Sequence, residues 1–111
     1  MRKILVGACP LADARAAFDE MRDVDLTFAE TPDEVIRLAL MGKFDFVYTE
    51  LDYQKSDREG FRVLEAIRDA DCVPNLWTNL DGCRDMTSEE IRAKAGALGI
   101  NIWDRRIPFS L

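Results

Sequence analysis

Short apolar runs alternate with segments of helical spacing along the whole of this chain, and that alternation narrows the fold more than any other feature. Residues 4–8 are apolar without interruption, the pattern of a strand covered on both faces. Pro10 then opens a helix that carries Leu11, Ala14, Phe18 and Met21 on one side. Residues 26–29 read as a second strand. Thr31-Pro32-Asp33-Glu34 has the form of a capping box with proline at the first helical position. The helix it opens turns Val35, Leu38 and Ala39 inward, and Gly42 is expected to supply a left-handed stop. Residues 44–49 form the third strand. Ser56-Asp57-Arg58-Glu59 has the form of another capping box, opening a helix with Phe61, Leu64, Ile67 and Arg68. Residues 75–78 make a short fourth strand after Pro74. Thr87-Ser88-Glu89-Glu90 caps a helix that runs through Leu98 and ends at Gly99, and residues 100–103 are the fifth strand. Five strands alternating with four helices imply right-handed crossovers and a mainly parallel sheet. With 111 residues the chain makes one domain, 1–111, around a single core.

Charge and residue usage exclude several function classes. The net charge is −6, and the basic residues are scattered, with only Arg105-Arg106 adjacent among the arginines. A nucleic-acid surface needs clustered Lys and Arg to displace counterions, so no nucleic-acid partner is expected. A charged partner would be basic. Cys9, Cys72 and Cys83 are odd in number and lack CxxC spacing, and the chain has no histidine. A zinc site and a Ser/His or Cys/His catalytic pair therefore drop out. Free thiols point to a reducing cytosol. Residues 2–9 superficially look like a lipoprotein signal, yet the apolar run is too short for an h-region and Pro10 and Asp13 follow at once. A buried first strand explains them better. No segment reaches transmembrane length, so no membrane partner is expected.

The stretch Phe44-Asp-Phe-Val-Tyr-Thr-Glu50-Leu-Asp52 ends a buried strand in carboxylates, at the strand end where α/β proteins place ligands and chemistry. Together with Gly60-Phe61-Arg62-Val63-Leu64-Glu65-Ala66-Ile67-Arg68 it resembles the receiver domain of two-component response regulators. Lys3-Ile4-Leu5-Val6 is similar to the receiver first strand, and Thr78 lies where that family places a phosphate-binding Thr or Ser. The resemblance covers residues 2 to about 109. It implies a three-layer, doubly wound, flavodoxin-like parallel sheet of strand order 2-1-3-4-5, here without the C-terminal fifth helix.

The same resemblance implies a phosphoryl pocket, and this sequence departs from it. An active receiver phosphorylates an aspartate ending the third strand, uses Mg²⁺ held partly by an acidic pair after the first strand, and grips the phosphate with a lysine after the fifth. Here the acidic-pair positions align with Gly7, Ala8 and Cys9, the acceptor with Glu50, and the lysine with Arg105, Arg106 or Ile107. Arginine meets anions with a planar fork where lysine offers a point charge. The expected pocket is thus a degenerate one of Glu50, Asp52, Thr78 and Arg106, with no metal, no cofactor and no catalytic residue. Two roles are open to Glu50: it mimics a phosphorylated aspartate by reaching toward Thr78 and an arginine, or it caps an exposed strand end. Asp52 stands eight residues before Gly60, the spacing receivers use for their acceptor, at the expense of a two-residue shift in strand register.

The reading this supports is a non-catalytic pseudo-receiver, a cytoplasmic regulatory module that binds a protein partner or forms a homodimer. The alternative is a Mg²⁺-dependent phosphoacceptor of a two-component system. A further alternative comes from Glu50-Leu51-Asp52 with Asp57-Arg58-Glu59-Gly60, which is similar to the acidic signatures of toprim metal-dependent nucleases, although four residues separate the two motifs here. Strand alternation puts Trp77 and Trp103 on one sheet face, the face the fifth helix would cover. Trp77, Trp103, Ile107 and Phe109 are the expected interface, since buried tryptophan suits an interface anchor. The competing expectation is that residues 105–111 fold back over the tryptophans and complete a monomeric core.

Overall fold

The computed structural model describes residues 1–80 and 84–106. In chain order these form β1 (Arg2–Gly7), α1 (Leu11–Phe18), β2 (Val24–Ala29), α2 (Pro32–Met41), β3 (Phe46–Thr49), α3 (Arg58–Ala66), β4 (Val73–Trp77), α4 (Ser88–Leu98) and β5 (Asn101–Trp103). The strands make one parallel sheet of order β2-β1-β3-β4-β5. β1 is the hinge of the topology, since the chain winds to β2 on one side of it and then to β3 on the other. The rim above β1 and β3 is therefore the switch point where an α/β sheet opens a crevice.

Alternation along the strands divides the core by face. Leu5, Val47 and Leu76 point to the face covered by α2, α3 and α4, where Val35, Val63, Leu64 and Ile91 meet them. Ile4, Val6, Tyr48 and Trp77 point the other way, toward Ala14 and Phe18 of α1. Among the described residues α1 is the only helix on that second face. Each fully buried aliphatic side chain contributes roughly 1.5–3 kcal/mol, so both faces matter to stability.

Local signals decide the helix ends, with two differences from expectation. Thr87 and Glu90 complete a reciprocal capping box on α4, and Gly99 closes that helix at φ 70°. Thr31 Oγ1 accepts Glu34 N–H at the start of α2. Gly42, expected to be left-handed, is instead extended at φ −89° and ψ 171°. Its need is spatial: an added Cβ would lie 2.6 Å from the Phe44 ring and 2.9 Å from Leu38 O. The expected box at Ser56 does not close either. Ser56 Oγ accepts Arg58 N–H, while Glu59 turns to pair with Arg62 at 3.0 Å. Asp57 is then left available for a contact described below.

Candidate functional site

The end of β1 has no room for a carboxylate. An added Cβ on Gly7 would collide with the Tyr53 hydroxyl and with Val35 Cγ2. Tyr53 descends from the β3–α3 loop into the core beside Leu5, Val35 and Val47, and shares a 2.6 Å hydrogen bond with Thr49 Oγ1. Burial pushes its phenol well above the ordinary value, so it stays neutral. The loop accommodates this plunge with two successive left-handed residues, Tyr53 at φ 50° and Gln54 at φ 61°, and Asp52 Oδ1 takes Gln54 N–H at 3.0 Å. A tyrosine thus occupies the space beside the first of the positions that align with a receiver's acidic pair.

Glu50 follows β3 directly and is only 3 % exposed. Its Oε1 accepts Cys9 N–H at 2.7 Å, and its Oε2 lies 3.6 Å from Arg105 Nη1. Burial is the largest influence on this carboxyl and lifts it to about 7; Asp52 adds to the rise, while the N–H groups of Cys9 and Tyr53 and the charge of Arg105 oppose it. The carboxylate therefore bridges the β1–α1 loop to the segment after β5. Among the described contacts none joins it to Thr78, whose hydroxyl accepts Leu80 N–H at 3.3 Å.

The other acids of the rim turn away from Glu50. Asp52 Oδ2 accepts from Arg84 Nε at 2.8 Å. Asp57, 1 % exposed, accepts the backbone N–H groups of Asp85 and Met86 at 2.8 and 2.9 Å, and its own N–H goes to Asp85 Oδ1 at 2.8 Å. Ser56 Oγ donates to Asp85 Oδ2 at 2.6 Å. The β3–α3 loop and the lead into α4 are in this way clasped together by charge-assisted hydrogen bonds. Glu50, Asp52, Asp57 and Glu59, the four acids similar to a toprim set, each serve a different neighbour. Among the described residues no cluster of three or more acids or thiols is placed to hold a metal ion. The Cys9 thiol is pushed up, chiefly by burial and then by Glu30 and Glu50, which disfavours a reactive thiolate.

Of the expected pocket, Glu50 and Thr78 stand at the sheet rim and Asp52 beside it. Arg106, expected to face Glu50, instead forks onto Asp104 at 2.9 and 3.1 Å. With Thr78 and Arg92 it lines an open cleft of about 320 Å³. Arg105 is the arginine that meets Glu50, a contact the sequence left undecided among three neighbouring positions. The tryptophans do share a face: Trp77 and Trp103 are cross-strand partners. Trp77 is 2 % exposed, wedged edge-on against Phe18 with Arg105 over its ring, whereas Trp103 is 36 % exposed. On the same face a cleft of about 590 Å³ opens beside Ile4, Met21, Val24, Phe46 and Tyr48. Ile107 and Phe109 of the expected interface, and Cys83, lie outside the described residues. No described helix is long and apolar enough to cross a membrane.

No protein-family model matches the sequence, and no curated protein matches it significantly. Solved structures do match. A two-component response regulator from Clostridium difficile superposes with a TM-score of 0.55 at 14 % identity, over 88 % of this chain and 95 % of that one. A response regulator from Colwellia psychrerythraea gives 0.56 at 14 % identity, over 93 % and 81 %. The chain has the receiver-like α/β fold of these proteins.

Proposed function

We propose that this domain is a pseudo-receiver, a regulatory module that binds protein and does not accept a phosphoryl group. One observation carries the reading: the carboxylate at the acceptor position is already engaged, by Cys9 N–H at 2.7 Å and by Arg105 at 3.6 Å. Phosphorylation there would have to displace both partners and to recruit a cation. Among the described residues the rim offers a hard cation no convergent oxygens, because Gly7 faces Tyr53 and Asp52 faces Arg84. Glu50 with Arg105 supplies internally the anion–cation contact that a phosphorylated receiver gains from outside. Receiver folds act as regulators through protein contacts, which favours a binding role over catalysis. We assign the binding surface to Trp103, with the buried Trp77 beside it, on the face where the described residues supply only α1; Ile107 and Phe109, expected to join them, lie outside the described residues. A cytosolic setting, in which the free thiols persist, and a protein partner or second copy complete the reading.

The test is exposure to acetyl phosphate, and separately to beryllofluoride, each with Mg²⁺. Intact-mass spectra are expected to stay unchanged, and the amide resonances of Glu50 and Asp52 to stay in place. A phosphoryl adduct on either carboxylate, or a large beryllofluoride-dependent shift at Asp52, would overturn the assignment in favour of a true phosphoacceptor.

A further inference from the structure

Three contacts follow one another from the β1–α1 loop to the tryptophan face. Cys9 N–H donates to Glu50 Oε1 at 2.7 Å, Glu50 Oε2 lies 3.6 Å from Arg105 Nη1, and the Arg105 guanidinium carbon lies 4.2 Å from the Trp77 ring centroid. The last distance is within cation–π range. Glu50 and Trp77 are almost closed to solvent, so Arg105 is held between a buried anion and a buried indole. The indole N–H has no acceptor among the described residues, so no hydrogen bond pins the ring independently of that cation.

We infer that Glu50 and Arg105 form a proton-operated latch on Trp77: the ionised carboxylate holds the guanidinium over the indole, and the neutral acid releases it. Charged and titratable groups face Glu50 from each side: Cys9 of the β1–α1 loop, Asp52 and Tyr53 of the β3–α3 loop, and Arg105 after β5. Glu30 and Lys55 act at one remove, on Cys9, with opposite signs. Tyr53 and Cys9 stay neutral around pH 7, both pushed upward by burial, so the charges that compete over Glu50 itself are Asp52 and Arg105. The balance leaves Glu50 poised at about 7, where a small change in proton concentration changes its charge.

The chain has no histidine, the side chain that ordinarily titrates in this range. Among the described residues Glu50 is then the natural source of a transition near neutral pH. Trp77 is the cross-strand partner of Trp103, so the latch reaches the face assigned above to protein binding. The latch itself rests on the contacts around Glu50 and stands whether or not that face has a partner.

The experiment follows the two indole N–H resonances of the full chain between about pH 5 and 9, with Trp103→Phe to assign them. The Trp77 resonance is expected to shift with a single midpoint near 7. That transition should vanish in Glu50→Gln. In Arg105→Gln the Trp77 resonance should become pH-independent, while the Glu50 carboxyl, followed by carbon-13, titrates at higher pH than in the parent. Circular dichroism establishes that each variant is folded. A Trp77 resonance that is flat in the parent chain would overturn the latch. So would a transition that survives unchanged in Glu50→Gln, which would assign it to a group other than Glu50. Retention of the Trp77 transition in Arg105→Gln would remove Arg105 from the device. Because no phosphoryl donor enters, failure here leaves the pseudo-receiver assignment to its own test.

Discussion

Glu50 and Asp57 stand at the two ends of one loop, 3 % and 1 % exposed, and their surroundings set them to different uses. Asp57 is answered by two backbone N–H donors from the facing segment and returns its own N–H to Asp85. That exchange is reciprocal, and its donors are backbone N–H groups that cannot swing away. Glu50 is answered by Cys9 N–H and by a long side chain arriving from beyond β5 at 3.6 Å. Its charge is only partly met, and burial drives it toward the neutral form. Two buried carboxylates seven positions apart therefore differ in kind: one fastens the loops together, and the other is pushed by burial toward its neutral form.

The strongest way to break the comparison is to disturb the loop that carries both. Gly60 N–H donates to Leu51 O at 2.6 Å, and a Cβ there would lie 2.6 Å from Glu50 O and 2.7 Å from Leu51 O. Both obstacles are backbone and cannot rotate aside. Gly60→Ala is expected to cost about 3 kcal/mol, read from urea unfolding, by forcing α3 off the end of β3. A variant as stable as the parent would mean that the loop is not pinned there. Asp57→Asn comes next, at about 2 kcal/mol, because the Asp85 and Met86 N–H groups converge on one oxygen, Oδ2, and the substitution leaves a neutral amide oxygen where a charged acceptor stood. Its amide-exchange signature should be local, with Asp85 and Met86 losing protection first. Uniform loss of protection across the sheet would count against a clasp confined to these loops.

The sheet was legible in the sequence because five short apolar runs and four amphipathic segments leave few ways to wind a chain. The α4 cap was equally plain, since Thr87 and Glu90 carry their own signal. The site was legible only as a set of positions. Glu50 and Thr78 were found because they end strands, which fixes their place on the rim. The partners of Glu50 were not, because they depend on how loops fold in three dimensions. Arg105 and Arg106 are neighbours in sequence, and only the turn after β5 sends one to Glu50 and the other to Asp104. Tyr53 gave a faint sign, an aromatic in a polar loop, and Gly7 gave its complement, a strand glycine leaving space for something large. Ser56-Asp57 looked like a helix cap because the pattern fits; the contact with Asp85, 28 positions away, overrode it.

The smallest expected effect sharpens the comparison most, because it has a sign that only Glu50 produces. Its folded-state value is raised, from 4.5 to about 7. A raised value means that the contribution to stability is complete below 4.5 and is lost as pH climbs through 7. The ionised carboxylate is therefore the less comfortable form of this side chain, even with Arg105 beside it. Glu50→Gln removes that dependence, keeping an oxygen for Cys9 N–H and giving up only the charge. At pH 8 the variant should be more stable than the parent by about 1–2 kcal/mol, less than the full shift implies because water reaches the Arg105 side of the rim. At pH 4 the two should unfold at the same urea concentration. If the gap between parent and variant is constant from pH 4 to 8, Glu50 does not change charge in that range and the contrast between the two carboxylates is broken.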